Sequence, residues 1–290
     1  MAIKYNSQYV DEKYLPILEP NLYTDTVLIP GVTYTDKYVT GPAGQLFVHK
    51  LTKGDVITPG NPGRDFNNEA AEDNLIAIQL NNNFQKSIKI YGVQENAVDF
   101  NMGESYMQMA IEVVRESRQY SGLACLVNEG TADSDTTAVT TGAGAVAKLI
   151  ELRKMIKDNH GKANYALVST EIYALLLNEL GLREVYDPAI RTAEMMNRFG
   201  LRIMECNSFD ESAAKYIDYT GTTKTVDLSN VEFVVGYNEA FSIVPNLEAM
   251  RMKDPSAFIG TLAQVEMNMG FRVTSPDQVI VKLNNGGTTI

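Results

Sequence analysis

The sequence predicts an α+β protein with one long helix, a central α/β unit and a late group of antiparallel strands. Three observations support this prediction. Apolar residues recur at helical spacing over 103–128, helix and strand patterns alternate from 145 to 244, and three strand-like stretches follow between 247 and 283. A chain of 290 residues has room for one large domain or two intertwined ones.

Composition excludes several classes of protein. With 44% apolar and 21% charged residues, the chain has the balance of a globular protein rather than a disordered one. It has no apolar run of membrane-spanning length and no apolar signal core near its start, so we expect neither membrane insertion nor secretion. The net charge of −11 argues against tight binding to DNA phosphates, so we expect non-specific contact with nucleic acid at most.

Residues 1–40 are expected to form an extended arm. Pro16, Pro20 and Pro30 interrupt regular structure, and no apolar period persists. An apolar segment without its own core packs on something else, which is either its own domain or a neighbouring chain. In the second case the candidate contact residues are Tyr5, Tyr9, Tyr14 and Tyr23.

Residues 41–92 predict an extended hairpin with strands at Gln45–Leu51 and Leu75–Tyr91. About twenty polar residues with Pro-Gly turns separate the strands, and such a loop is unusual inside a compact domain. A projecting hairpin is therefore favoured. Its tip is either a solvated charged strip or a contact with a neighbour of complementary charge. The candidate contact residues are Lys53, Arg64, Asp65, Glu69, Glu72 and Asp73.

The clearest helix covers residues 103–128. Its stripe repeats at 4-3-4-3 spacing through Tyr106, Ala110, Val113, Ser117, Tyr120, Ala124 and Val127. At 1.5 Å per residue this helix spans roughly 35–40 Å, so it is long enough to support a whole subunit. Val113 and Val114 are both expected on its buried side.

A polar linker at 129–142 leads into the α/β unit. Helices are predicted at 145–159, ending near Gly161, at 170–180 with Ser169 as its cap, and from Asp187 to Gly200. The predicted strands are Tyr165–Val168, Leu201–Cys206, Tyr216–Thr220, Lys224–Asp227, Val231–Tyr237 and Ala240–Val244.

The last strands are predicted at Leu247–Lys253, Thr261–Gly270 and Gln278–Leu283, with Arg272 and Val273 in a connection. We expect them to form an antiparallel ladder with the 75–91 strand. This ladder would pack on the long helix as a second layer.

No motif predicts catalysis. Gly142–Ala147 fits a dinucleotide-binding pattern, but a polar segment precedes it where a buried strand is required. Cys125 and Cys206 have neither disulfide-framework nor metal-binding spacing, so we expect buried reduced thiols. Two histidines, His49 and His160, leave little for a zinc site or a triad. We therefore predict no catalytic residue, no cofactor and no metal.

The order of these elements resembles the major capsid proteins of tailed bacteriophages, which have the Hong Kong phage ninety-seven-like fold. The passage from Val231 to Lys282 looks like an axial domain running into a peripheral-domain ladder. The resemblance implies four parts. They are an N-terminal arm at 1–40, an extended hairpin (E-loop) at 41–92, a peripheral domain at 93–130 with 247–290, and an axial domain at 131–246.

The resemblance also implies a function. The chain would be a structural, non-enzymatic protein that assembles through hexamers and pentamers into an icosahedral shell around double-stranded DNA. It would form in the host cytoplasm and reside in the virion capsid. Portal and decoration proteins are implied partners, together with a separate scaffolding protein or none.

Other interpretations remain open from the sequence. Some members of the family cross-link a hairpin lysine to a neighbour's asparagine, and this chain matches those roles only loosely, with Lys50, Lys53, Glu266 and Asn268. An encapsulin-type nanocompartment shell resembles the same fold. A phage tail or connector protein and an α/β enzyme are the remaining alternatives.

Overall fold

The fold was analysed in a computed structural model, which describes residues 26–38, 45–51, 73–91, 102–184, 199–254, 257 and 259–284. The helices are α1 (Met102–Glu129), α2 (Gly142–Asp158) and α3 (Thr170–Glu184). The strands are β1 (Gln45–Leu51), β2 (Asp73–Gln79), β3 (Asn82–Tyr91), β4 (Thr131–Ala132), β5 (Tyr165–Ser169), β6 (Arg202–Cys206), β7 (Ala214–Ile217), β8 (Thr223–Val226), β9 (Val231–Gly236), β10 (Phe241–Lys253), β11 (Gly260–Val273) and β12 (Val279–Leu283). Among the helices described, none has the length and apolar character needed to cross a membrane.

Two sheets dominate the architecture. The first is five-stranded, in the order β4-β12-β9-β5-β6, with antiparallel pairing of β9 to both neighbours and parallel pairing at both ends. The second is the antiparallel ladder β10-β11-β3. Two further antiparallel pairs, β1–β2 and β7–β8, pack against this frame. A mixed sheet and an antiparallel ladder were both predicted from the sequence, but with a partly different set of strands.

Helix α1 joins the two sheets. Near its start Ala110 and Val114 pack on Val265 of the ladder. Further along, residues 123–127 are buried in the main core beside the five-stranded sheet. The helix was predicted, but its buried stripe is displaced: Val114 is 2% exposed, whereas Val113 is only half-buried. The ladder residue Val265 packs against Ala110 and Val114, which lie about one turn apart on α1, so Val114 rather than Val113 faces the core.

Helices α2 and α3 cover the face of the five-stranded sheet opposite α1. Helix α2 begins at Gly142, three residues earlier than predicted, because the Thr141 hydroxyl accepts the Gly144 N–H at 3.2 Å. Ser169 caps α3 as predicted, accepting the N–H of Ile172 at 3.4 Å. After α2 the left-handed residue is His160, with φ 57°, rather than the predicted stop at Gly161.

Buried charges hold the polar linker that precedes α2. The Lys148 ammonium lies 2.7 Å from the Asp133 carboxylate, and both side chains are almost fully buried. Burial lowers the pKa of Lys148, but its hydrogen bonds to carboxylates raise that pKa by more. Lys282, also fully buried, donates to the Thr137 carbonyl at 2.8 Å. The linker is therefore an integral part of the fold.

Three strand predictions were wrong. The proposed strand 75–91 is broken into β2, which pairs with β1, and β3, which pairs with β11. Gln278–Leu283 does not join the ladder, because β12 lies inside the five-stranded sheet between β4 and β9. The two strands proposed on either side of residue 246 are one strand, β10, with an irregularity between Pro245 and Leu247.

Smaller differences concern the ends of elements. Arg272 and Val273 belong to β11 rather than to a connection. The predicted helix from Asp187 lies almost entirely outside the described residues. The pair β7–β8 was predicted, and Gly221, with φ 82°, supplies the left-handed residue of its turn.

The displaced stripe on α1 yields a matched test. Val114→Asp places a charge in a closed core and should lower the free energy of unfolding by at least about 3 kcal/mol. Val113→Asp, one residue away and half-buried, should cost about 1 kcal/mol. Urea unfolding followed by circular dichroism measures both variants. Equal losses would show that the buried face of α1 is wrongly assigned.

Candidate inter-subunit surface

The β1–β2 hairpin is rooted on the base of the ladder. Its inner face carries Val48 and Ile78, which are buried together with Leu80 against Val244 of β10. Residues directly opposite each other in an antiparallel pair share a face, so the register Val48↔Ile76 and Leu46↔Ile78 places one apolar face toward the ladder. The hairpin therefore has a packed root.

A glycine permits this close crossing. A β-carbon at Gly270 of β11 would lie 2.5 Å from the Gln79 carbonyl oxygen and 2.8 Å from Cγ2 of Ile78. Contacts that short are not found between real side chains and backbone. Glycine is therefore required where the hairpin backbone crosses the ladder.

A lysine fixes the other side of the root. The Lys50 ammonium donates to the Thr274 carbonyl at 3.1 Å and to the Ser275 hydroxyl at 2.8 Å. These bonds tie the end of β1 to the connection between β11 and β12. With the apolar root and Gly270, they set the direction in which the hairpin leaves the subunit.

The outer face of the hairpin is exposed and partly apolar. The register Phe47↔Ala77 and His49↔Leu75 puts Phe47 and Leu75 on the face opposite the root. Phe47 is 55% exposed and Leu75 is 61% exposed. Two exposed apolar side chains on one face of a firmly packed hairpin make that face a candidate interaction surface. We call Phe47 and Leu75 the outer hairpin face.

Most of the predicted contact residues lie outside the described part of the chain. This applies to Tyr5, Tyr9, Tyr14 and Tyr23 of the arm and to Lys53, Arg64, Asp65, Glu69 and Glu72 of the tip. Asp73 begins β2, where its backbone pairs with Leu51. The outer hairpin face could not be predicted from the sequence, because β1 and β2 carry apolar residues on both faces and the pattern does not tell which face is buried.

Two of the four residues matched loosely to cross-linking roles, Lys50 and Glu266, have other partners in this subunit, and Lys53 lies outside the described residues. Lys50 is held in the root of its own hairpin. The Glu266 carboxylate accepts hydrogen bonds from the side-chain amides of Gln85 at 2.8 Å and Asn83 at 3.1 Å. These bonds lower the pKa of Glu266, which makes it a weaker base.

The geometry offers little for catalysis. A cleft of about 410 Å³ opens where β5 and β6 end, and Cys206 lines it. Burial raises the pKa of Cys206 to about 12, so the thiol is protonated at neutral pH and is not a nucleophile. Cys125 is likewise a free, buried thiol. In the parts of the chain that the structure describes, no group of three or more histidine, cysteine or acidic side chains is placed to hold a metal.

Comparison by sequence finds no relative: no protein-family model matches the chain, and neither does any curated protein. Solved structures do match. The chain superposes with a TM-score of 0.72 and 14% identity on a chain from the capsid of Cyanophage P-SCSP1u, covering 94% of this chain and 92% of that one. With the capsid of Myoviridae phage XM1 the TM-score is 0.63 at 12% identity, covering 97% and 99%.

A third match is a virus-like particle from Pyrococcus furiosus, with a TM-score of 0.54, 11% identity and coverage of 84% and 88%. At such identities the likeness shows the fold alone. This protein therefore has the mixed helix and sheet fold of phage capsid proteins, as the order of its elements predicted.

The glycine crossing can be tested directly. Gly270→Ala should force the hairpin away from the ladder and cost about 1–3 kcal/mol. Gln264→Val, on the same face of β11 but away from the crossing, is the control and should change stability little. Hydrogen exchange should accelerate in β1 and β2 of Gly270→Ala while α1 stays protected. Unchanged exchange in the hairpin would refute the proposed root.

Proposed function

We propose that this chain is a structural shell protein that self-assembles into an icosahedral phage capsid around double-stranded DNA. One observation carries the proposal: a hairpin with a packed root holds the apolar side chains Phe47 and Leu75 outward. Their own subunit leaves them exposed, whereas a neighbouring copy would bury them. The capsid fold supports this reading.

The energetics suit assembly. Full burial of a large apolar side chain contributes about 1.5–3 kcal/mol. Phe47 is 55% exposed and Leu75 is 61% exposed, so covering both contributes about 2 kcal/mol per subunit. Such a contact is weak alone. Repeated around a closed shell, many weak contacts give a stable particle whose subunits still rearrange during assembly.

The proposal includes the division of the chain into domains and the residues that contact neighbouring subunits. The chain divides into the N-terminal arm, E-loop, peripheral domain and axial domain at the boundaries predicted from the sequence. Hexamers and pentamers form through the arm and the hairpin tip. The contact residues are Tyr5, Tyr9, Tyr14 and Tyr23 on the arm, and Lys53, Arg64, Asp65, Glu69, Glu72 and Asp73 on the tip.

Partners and location follow from the same function. A shell protein with a net charge of −11 contacts packaged DNA without sequence preference. Scaffolding, portal and decoration proteins are the partner classes that a tailed-phage shell uses. The mature site is the virion capsid, after assembly in the host cytoplasm. The chain has no enzymatic role.

A compartment shell with protein cargo is the second candidate, favoured by the likeness to the virus-like particle. The phage capsid is preferred because its TM-score is 0.72 against 0.54. Shells purified from infected cells distinguish the two by their contents. Nuclease-protected DNA supports the capsid, and a stoichiometric protein cargo without DNA supports the compartment.

Two neighbouring residues of β1 test the role of the hairpin. Phe47→Ser should leave the free energy of unfolding within about 0.5 kcal/mol of the original while reducing the yield of closed shells. Val48→Ser, on the packed inner face, should instead cost about 2–3 kcal/mol. Negative-stain microscopy and urea unfolding measure both effects. Normal shells from Phe47→Ser would exclude the outer hairpin face as a contact.

Removing the hairpin tip tests whether the tip contacts a neighbouring subunit. Replacing residues 56–72 with a short Gly-Ser linker should leave a folded subunit that does not close shells, because a polar loop of this length contributes little to the core. Circular dichroism and light scattering check folding and particle size. An unfolded subunit would mean that the tip is part of the core, and intact shells would refute its inter-subunit role.

A further inference from the structure

The cleft at the ends of β5 and β6 carries acidic and neutral side chains. It encloses about 410 Å³. It lies outside the carboxyl ends of two neighbouring parallel strands, which is where α/β sheets commonly bind ligands. Its charged lining residues are Glu171, Asp210 and Glu232, and no lysine, arginine or histidine lines it within the described ranges of the chain. We call this space the acidic cleft.

A buried carboxylate in the acidic cleft lacks a hydrogen-bond donor. Glu232 is 6% exposed, and its Oε1 atom accepts the Val139 N–H at 3.0 Å. Its Oε2 atom has no hydrogen-bond partner among the described residues. Nζ of Lys282 lies 3.7 Å from Oε2, which is beyond hydrogen-bond distance, and it already donates to two backbone carbonyls. A buried carboxylate oxygen without a donor is costly unless a bound group supplies one.

Two amide side chains of the same cleft also lack a donor. Asn207 and Asn284 line the cleft, and the Oδ1 atom of each is buried without a hydrogen-bond partner in the described part of the chain. All of these unpaired atoms are acceptors. The group that satisfies them must therefore be a hydrogen-bond donor.

The charges of the cleft indicate which donor fits. Three carboxylates against the Lys282 ammonium leave a formal charge of −2. Glu232 is buried whereas Glu171 and Asp210 are exposed, so negative charge lies both deep in the cleft and at its rim. Among the described acidic side chains, no three are close enough to hold one metal ion. An extended cation with a charge at each end fits this arrangement better than a compact one.

We propose that the acidic cleft binds a linear aliphatic diamine or polyamine. One ammonium group donates to Oε2 of Glu232 and to the two unpaired amide oxygens, and another lies beside the exposed carboxylates at the rim. The methylene chain between them packs on apolar side chains, as the stem of a lysine does on a protein surface. These side chains are Ile172, Phe209 and Val231. The inference does not depend on the proposed function.

Calorimetric titration of the full chain at low salt tests the site. Putrescine has two ammonium groups and should bind, whereas butylamine has one and should bind about tenfold more weakly, because it leaves the rim carboxylates unpaired. Magnesium has the same charge as putrescine in a compact form and should not displace it at equal concentration. Equal affinity for the two amines, or displacement by magnesium, would overturn the proposal.

Carboxylate variants locate the site. Glu232→Gln keeps an oxygen for the Val139 N–H but removes the buried charge, and it should weaken putrescine binding about tenfold. Asp210→Asn, at the exposed rim, should weaken binding about threefold. Circular dichroism checks that both variants fold, and Asp210→Asn decides the matter if Glu232→Gln does not.

The matched control is Glu205→Gln, which removes an exposed carboxylate of β6 that does not line the cleft. It should leave the affinity for putrescine unchanged. A loss equal to that in Asp210→Asn would show that putrescine responds only to net charge, and this result would refute the site. Unchanged affinity in the folded cleft variants would refute it as well.

Light scattering identifies the source of the ammonium group. Putrescine should leave the size of the particles or oligomers unchanged, because the cleft takes a small molecule. Dissociation by putrescine but not by butylamine would show that a basic side chain of a neighbouring copy normally fills the cleft. That outcome would overturn the proposal.

Discussion

The burial of α1 against both sheets is the constraint on which the rest of the structure depends. At its C-terminal end the Glu129 carboxylate accepts a bond from Nη1 of Arg272 at 2.8 Å and from the Val273 N–H at 2.9 Å. Burial raises the pKa of Glu129, against the opposing effect of the Arg272 charge. The Arg272 guanidinium also stacks over the Tyr219 ring, 3.8 Å from its centre. One helix end therefore aligns the ladder, the β7–β8 pair and the main core.

The orientation of the hairpin is set by its packing on the ladder, which α1 holds in place. Its root touches β10 and β11 near the point where the ladder approaches the five-stranded sheet, through Val244 and Gly270. A surface that must meet a neighbour at a fixed angle needs such a rigid origin, because a freely hinged hairpin would lose conformational entropy on every contact. The two faces differ along one strand, where Val48 packs against the ladder and the next side chain, Phe47, stays exposed.

Local sequence patterns predicted where helices and strands lie better than they predicted which strands pair with each other. The 3.6-residue period located α1, and a short apolar stretch ahead of the polar loop located β1 with its observed ends. The local sequence could not predict which sheet contains β12. Val279–Leu283 is buried on both faces, and a continuously apolar strand suits either sheet. Gly270 looked like a strand end, since only the crossing hairpin shows why a glycine is needed. The exposure of Phe47 and Leu75 could not be predicted, because exposure is a tertiary property.

The position of β12 also affects when the subunit can fold during synthesis. This strand lies between β4 and β9, although it follows β4 by almost 150 residues and β9 by more than 40. The sheet therefore cannot close until residue 283 has left the ribosome. Contacts of such long sequence separation form late and slowly. Until then the five-stranded sheet lacks a central strand, and contacts that need the completed subunit are disfavoured until translation is nearly over.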